Sequence, residues 1–62
     1  MKLRHYIRQN KLTQTKFAHK CGLSKATVSR IIAGERQPSL RVMQIIYRAT
    51  EAKVTPDDFF TD

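Results

Sequence analysis

The feature that most constrains this chain is a spacing. In QTKFAHKCGLSKATVSRII, Ala18, Gly22, Val28 and Ile31 follow Gln14 at offsets of four, eight, fourteen and seventeen residues. Two helices that cross steeply need a small residue at their close approach, and Ala18 supplies it. Gly22 can take a positive φ without a Cβ penalty and so ends the first helix, while Leu23 behind it is an apolar plug for the turn. Ser24 is an N-cap for the second helix. There Val28, Ile31 and Ile32 share one stripe at 100° per residue, leaving Ala26, Ser29, Arg30 and Ala33 on the other side with Lys25 and Thr27 at the margins. The pattern predicts a helix-turn-helix with a short, polar, basic outward face.

Charge leads in the same direction. The 62 residues carry 12 Lys+Arg and 5 Asp+Glu, a formal net charge of +7. No acid precedes Glu35, whereas Lys2, Arg4, Arg8, Lys11, Lys16, Lys20, Lys25 and Arg30 do; from Glu51 onward the sign reverses, with Glu51, Asp57, Asp58 and Asp62 against Lys53 alone. A positive field over the first three helices makes a polyanion the natural partner, and a basic helix-turn-helix makes that polyanion duplex DNA.

Other classes of function fit poorly. A domain of this size hides only about 60% of its unfolded surface and cannot enclose a large substrate pocket. The apolar runs are too short for a signal peptide or a membrane span, and Cys21 is the single cysteine, so the expected setting is a reducing cytoplasm. Cys21 falls in the apolar stripe with Phe17 and Ala18, which makes it a small core filler. His19 and Cys21 lie two apart on a predicted helix, about 200° around its axis, and cannot share a metal ion. No Gly-rich phosphate loop, nucleophile elbow or pair of carboxylates is present, so neither an enzyme nor a cofactor, metal or small-molecule substrate is expected.

The periodicity and capping residues predict a single all-α domain over residues 1–62, compact and built of five helices, with helices two and three forming the helix-turn-helix. Helix one covers Lys2 to Gln9, with Leu3, Tyr6 and Ile7 inward. Thr13 caps helix two, which runs to Cys21; helix three spans Lys25 to Ala33 and is stopped by Gly34. Ser39 caps a fourth helix whose apolar face is Leu40, Met43, Ile46 and Tyr47. Thr55-Pro56-Asp57-Asp58 reads as the start of a short fifth, which carries Phe59 and Phe60.

The stretches L-T-Q-x-x-x-A-x-x-x-G-L-S-x-x-T-V-S-R-I, G-x-R-x-P-S-L and V-T-P-D-D-F resemble the lambda repressor-like domains of the Cro and XRE family, from about Leu3 to Phe60. The resemblance implies sequence-specific DNA binding. The glutamine that opens helix two in that family clamps a phosphate and braces the recognition helix, a role that falls to Gln14. The base-reading positions correspond to Lys25, Ala26 and Arg30. Ser24, Thr27 and Ser29 are implied as backbone or mixed contacts, and Arg36 and Gln37 as phosphate contacts on the flank. Arg30 can offer a bidentate fork to guanine, Lys25 a less fixed donor, and Ala26 a shape match to a thymine methyl.

Two departures from the family pattern stand out, one of them a pair of residues. Ile7 and Ile32 stand where many relatives have arginine and glutamate in a buried ion pair; replacing both halves by packed apolar groups is tolerated, whereas losing one costs about 3 to 5 kcal/mol. Ala52 occupies a turn where relatives often have glycine.

One domain of this kind reads few base pairs, so a homodimer on an inverted repeat is expected, with Val54, Phe59 and Phe60 at the chain's end and the nearby face of helix four as its contact; the equal alternative is that both phenylalanines cap the monomer core. The function expected is that of a Cro-like repressor of phage or bacterial origin. Two alternatives stay open: an antitoxin-like module whose acidic, aromatic end binds a second protein, and a non-specific nucleic-acid binder.

Overall fold

The computed structural model describes residues 1–60. Four helices form, α1 (Leu3–Gln9), α2 (Gln14–Cys21), α3 (Lys25–Ile32) and α4 (Leu40–Ala49), followed by one 3-10 turn at Pro56–Phe59. There is no strand among the described residues.

The capping residues set the starts. Thr13 Oγ1 accepts the Lys16 N–H at 3.0 Å, Ser24 Oγ the Thr27 N–H at 3.1 Å, and Ser39 Oγ the Val42 N–H at 3.2 Å. Each bond satisfies a donor that the first helical turn leaves without a backbone partner. All four helices stop by one device, a pair of backbone bonds folding back over the last turn. After α2, Leu23 N–H reaches Ala18 O at 2.9 Å, and after α3, Glu35 N–H reaches Arg30 O at 2.9 Å. Gly22 and Gly34 supply the left-handed residue there, at φ +71° and +76°.

The expected fifth helix is a correction. Thr55, Pro56 and Asp58 do start a helical turn, with the Asp58 carboxylate accepting from the Thr55 N–H at 2.9 Å. It runs four residues and is 3-10, with Phe60 N–H bonded to Asp57 O at 3.1 Å. A start signal without a following apolar period does not offset the cost of nucleating a helix. Helix α1 also begins one residue later than expected, with Lys2 as its cap, and α3 ends at Ile32.

The core gathers one face from every element. Leu3, Tyr6 and Ile7 of α1, Phe17 and Ala18 of α2, Val28 and Ile31 of α3, Ile46 of α4 and Val54 of the following turn are buried together. Phe17 is fully enclosed and meets the Tyr6 ring edge-on at a centroid distance of 6.1 Å. Such a pair adds roughly 0.5–1.5 kcal/mol to its area burial. Leu23 and Cys21 pack against this cluster half-buried. Burial raises the Cys21 thiol pKa above its usual value, and the nearby Lys20 charge opposes this in part.

Helix α4 departs from its expected face. Met43 and Ile46 are buried, but Leu40 is 69% and Tyr47 41% exposed. The buried side has instead rotated toward Val42 and Thr50. Val54, expected at a surface contact, is fully buried and serves the core; Phe59 packs half-buried against it, and Phe60 is 65% exposed.

Candidate nucleic-acid interface

Helix α3 has two unlike sides. Its inner side, Val28 and Ile31 with Ile32 packed beside them, is held in the core. Its outer side carries Lys25, Ala26 and Arg30, all exposed, while Thr27 and Ser29 are half-buried toward the margins. Among the described residues neither Lys25 nor Arg30 is paired with a carboxylate, so both charges are available to an anion. The side chains short enough to let a partner approach closely, Ala26 and Ser29, stand between the two long donors in sequence. Lys25, Ala26 and Arg30 line neither the open cleft beside Arg4 and Arg36 nor the groove at Leu40 and Tyr47. The outer side of α3 is therefore an exposed helix face rather than a pocket that receives a ligand.

The turn before α3 is tightly specified. Ser24 Oγ lies 2.8 Å from Thr27 Oγ1 while it accepts the Thr27 N–H, so the two hydroxyls hold each other as well as the helix end. Their first duty is thus capping. The first-turn N–H groups that Ser24 does not satisfy lie at the positive end of the helix dipole, which favours an anion such as phosphate. Gln14 opens α2 as its first residue and is half-buried. Lys16 and Lys20 on α2 are exposed with the same sign of charge.

The flank behaves differently for its two expected residues. Arg36 is exposed. Gln37 is also exposed, but its side-chain amide donates to Phe59 O at 3.1 Å and ties the loop after α3 to the 3-10 turn. That bond gives Gln37 a structural task in the protein without DNA.

Three placements were not legible beforehand. Arg4 of α1 donates through Nη2 to Ile32 O at 3.2 Å, at the end of α3. It supplies a polar tie between α1 and α3 at a place where the side chains of Ile7 and Ile32 are apolar, and a cation beside a helix C-terminus also meets the negative end of the dipole. Lys2 reaches across to Asp58 O at 2.7 Å. Around these, Lys2, Arg4, His5 and Arg36, together with Asp58 and Phe59, line an open cleft of about 560 Å³. The only sequence signal was the basic spacing of α1, which reads equally as a solvated face.

Among known families, the model described as helix-turn-helix matches residues 3–57. The chain belongs to that helix-turn-helix family, of the Cro and XRE type, whose domains bind DNA. Comparison with curated proteins and with solved structures gives no match. No helix among the described residues is long and apolar enough to cross a membrane.

Proposed function

We propose that this chain is a sequence-specific transcriptional regulator, a Cro-like repressor that docks α3 in the major groove of an inverted-repeat operator as a homodimer. The observation that carries this reading is the division of α3, with one side locked in the core and the other exposing Lys25, Ala26 and Arg30. Arg30 and Lys25 read base edges, and Ala26 admits a thymine methyl. Gln14, Ser24, Thr27 and Ser29, with the first-turn N–H groups, position the helix on the backbone, and Arg36 adds a phosphate contact from the flank. Gln37 joins that flank through its bonded loop. Two copies would place their helices in successive major grooves about 34 to 36 Å apart.

Selection from random duplexes at near-physiological salt tests the reading. The expected product is an inverted repeat. Arg30→Ala should then relax preference at one symmetric position and weaken operator binding by about 1–3 kcal/mol per half-site. Lys20→Ala should weaken all duplexes alike and lower the salt slope by about one. Recovery of no motif, with Arg30→Ala and Lys20→Ala behaving alike, would reject sequence-specific reading in favour of binding by charge.

A further inference from the structure

Three side-chain ties meet around one cleft. Arg4 Nη2 donates to Ile32 O at 3.2 Å, Lys2 Nζ to Asp58 O at 2.7 Å and Gln37 Nε2 to Phe59 O at 3.1 Å, so the chain's start, the end of α3, the loop after it and the 3-10 turn are pinned to one another. All six residues line the open cleft of about 560 Å³, and Arg36 and His5 join them. That volume falls within the range of about 300–1,000 Å³ usual for small-molecule sites. The charge of the lining is one-sided. Lys2, Arg4 and Arg36 are cations, while the carboxylate among them, Asp58, is already held by the Met1 ammonium at 2.8 Å and the Thr55 N–H at 2.9 Å. Arg36 and His5 are exposed, and among the described residues neither is paired with a carboxylate. Arg4 gives one N–H to Ile32 O and has further donors on the same guanidinium. Ile32, Pro38 and Phe59 add apolar surface to the same lining.

We propose that this cleft binds a small organic phosphate monoester with a flat, apolar body, a free ligand of nucleotide size. Charge and shape select that class. The cations outnumber a carboxylate that has its own partners, which leaves a net attraction for a dianion, and a phosphate monoester with its second pKa at about 6 is close to doubly charged at neutral pH. The guanidinium forks of Arg4 and Arg36 match phosphate oxygens in pairs, as a carboxylate of single charge would use only in part. Inorganic phosphate satisfies the cations and leaves the apolar lining in water; a neutral ring does the reverse. A backbone phosphate of duplex DNA is a diester with one charge, and its bases are stacked away from such a cleft. Occupancy has a consequence for DNA. Arg36 is the flank residue assigned to an operator phosphate, so a ligand that engages it removes one backbone contact from the complex. That consequence rests on the regulator reading, whereas ligand binding itself does not.

Titration of isotope-labelled protein with adenosine monophosphate, followed through the amide resonances, tests the site. Saturable shifts centred on Arg4, His5, Gly34 and Arg36 are expected, with adenosine and inorganic phosphate each binding at least about tenfold more weakly. Arg36→Gln, at an exposed residue, should weaken the nucleotide at least about tenfold with melting unchanged. Arg4→Lys, which keeps the charge and loses the fork, should also weaken it, while Arg48→Gln on the exposed side of α4 should leave it as it was. Shifts spread evenly over the basic residues, equal losses in Arg36→Gln and Arg48→Gln, or inorganic phosphate that binds as well as the nucleotide would overturn the assignment. Cleft amides that respond to an unrelated short duplex and not to the nucleotide would overturn it too, in favour of the DNA backbone. Duplex binding repeated with saturating nucleotide separates the two readings. A salt slope lower by about one is the expected result. Full nucleotide binding by a protein with no preference among duplexes would sink the regulator reading alone, and an unchanged slope on a preferred duplex would sink the coupling.

Discussion

The helix-turn-helix and the segment after α4 end their helices with the same hydrogen bonds but with different residues. After α2 and α3 the left-handed position is Gly22 and Gly34. After α4 the Ala52 N–H reaches Tyr47 O at 2.8 Å and Glu51 N–H reaches Arg48 O at 3.2 Å, the same closure, yet Glu51 and Ala52 sit at φ +54° and +68° with Cβ atoms to accommodate. A left-handed residue with a side chain costs about 1–2 kcal/mol. The two regions thus show how one geometry can be supported from the backbone or imposed by its surroundings. In the helix-turn-helix the local sequence favours the turn. After α4 something else must hold it.

That support is Thr50, fully buried at the end of α4. Its hydroxyl donates to Ile46 O at 2.8 Å and accepts the Val54 N–H at 3.1 Å, bridging the helix to the chain beyond the strained pair. The largest effect expected in this comparison follows. Thr50→Val keeps the shape but leaves the Val54 N–H buried without its partner, and should cost about 1–3 kcal/mol in chemical denaturation. Thr50→Ser, which retains the hydroxyl, should recover most of it. Equal losses in both variants would mean that the methyl, not the bridge, matters.

Gly22→Ala probes the other region. An added Cβ there would meet nothing within 4 Å, so only the φ of +71° opposes it. The expected cost is about 1 kcal/mol, the left-handed penalty less the entropy that alanine removes from the unfolded chain. A much larger loss would show that the turn between α2 and α3 is held by contacts rather than by backbone preference.

How far the sequence could be read follows the same division. Where local chemistry and tertiary packing agree, the reading was accurate: Thr13, Ser24 and Ser39 cap as expected, α2 has its expected bounds, and Val28 and Ile31 face the core. The reading failed where the surroundings decide. Four apolar positions on α4 could have pointed inward, but the fold buries Met43 and Ile46 and leaves Leu40 and Tyr47 outside. Val54 follows no periodicity, because it enters the core from a turn. Thr50 looked like any polar residue near a helix end. Among the residues assigned to DNA, the exposed face of α3 was legible from a 100° period alone, whereas the bond from Gln37 to Phe59 joins residues 22 apart that no local pattern connects.

Ala52→Gly is the converse of Gly22→Ala. Ala52 is exposed, so its methyl supports no packing, and relief of the left-handed strain should stabilise the fold by about 0.5–1 kcal/mol after the added freedom of the unfolded chain is subtracted. A gain in Tm without a change in operator preference would sharpen the contrast, since it would place the strain outside the reading surface. Destabilisation would mean that the turn after α4 is not strained at all.

The smallest effect concerns acid. The helix-turn-helix contains no carboxylate, whereas the turn after α4 is latched by one. The Asp58 carboxylate is held below its usual range first by the Met1 ammonium, at 2.8 Å, and then by the Thr55 N–H, at 2.9 Å. A depressed folded pKa means stability that is present in full above the unfolded value, about 3.9, and is lost as pH falls through the folded one. Because the group is near the surface, the whole-molecule effect is slight. The expected signature is local instead. On acidification the Thr55 amide resonance should move with the Asp58 carboxyl, at a midpoint below that of an ordinary aspartate, while Thr27 and Lys16 at the caps of α3 and α2 stay still. Asp58→Asn should abolish the Thr55 transition. A shared transition at all three amides would show that the acid response is global unfolding, and the two regions would then be one cooperative unit rather than a self-supporting turn beside a latched one.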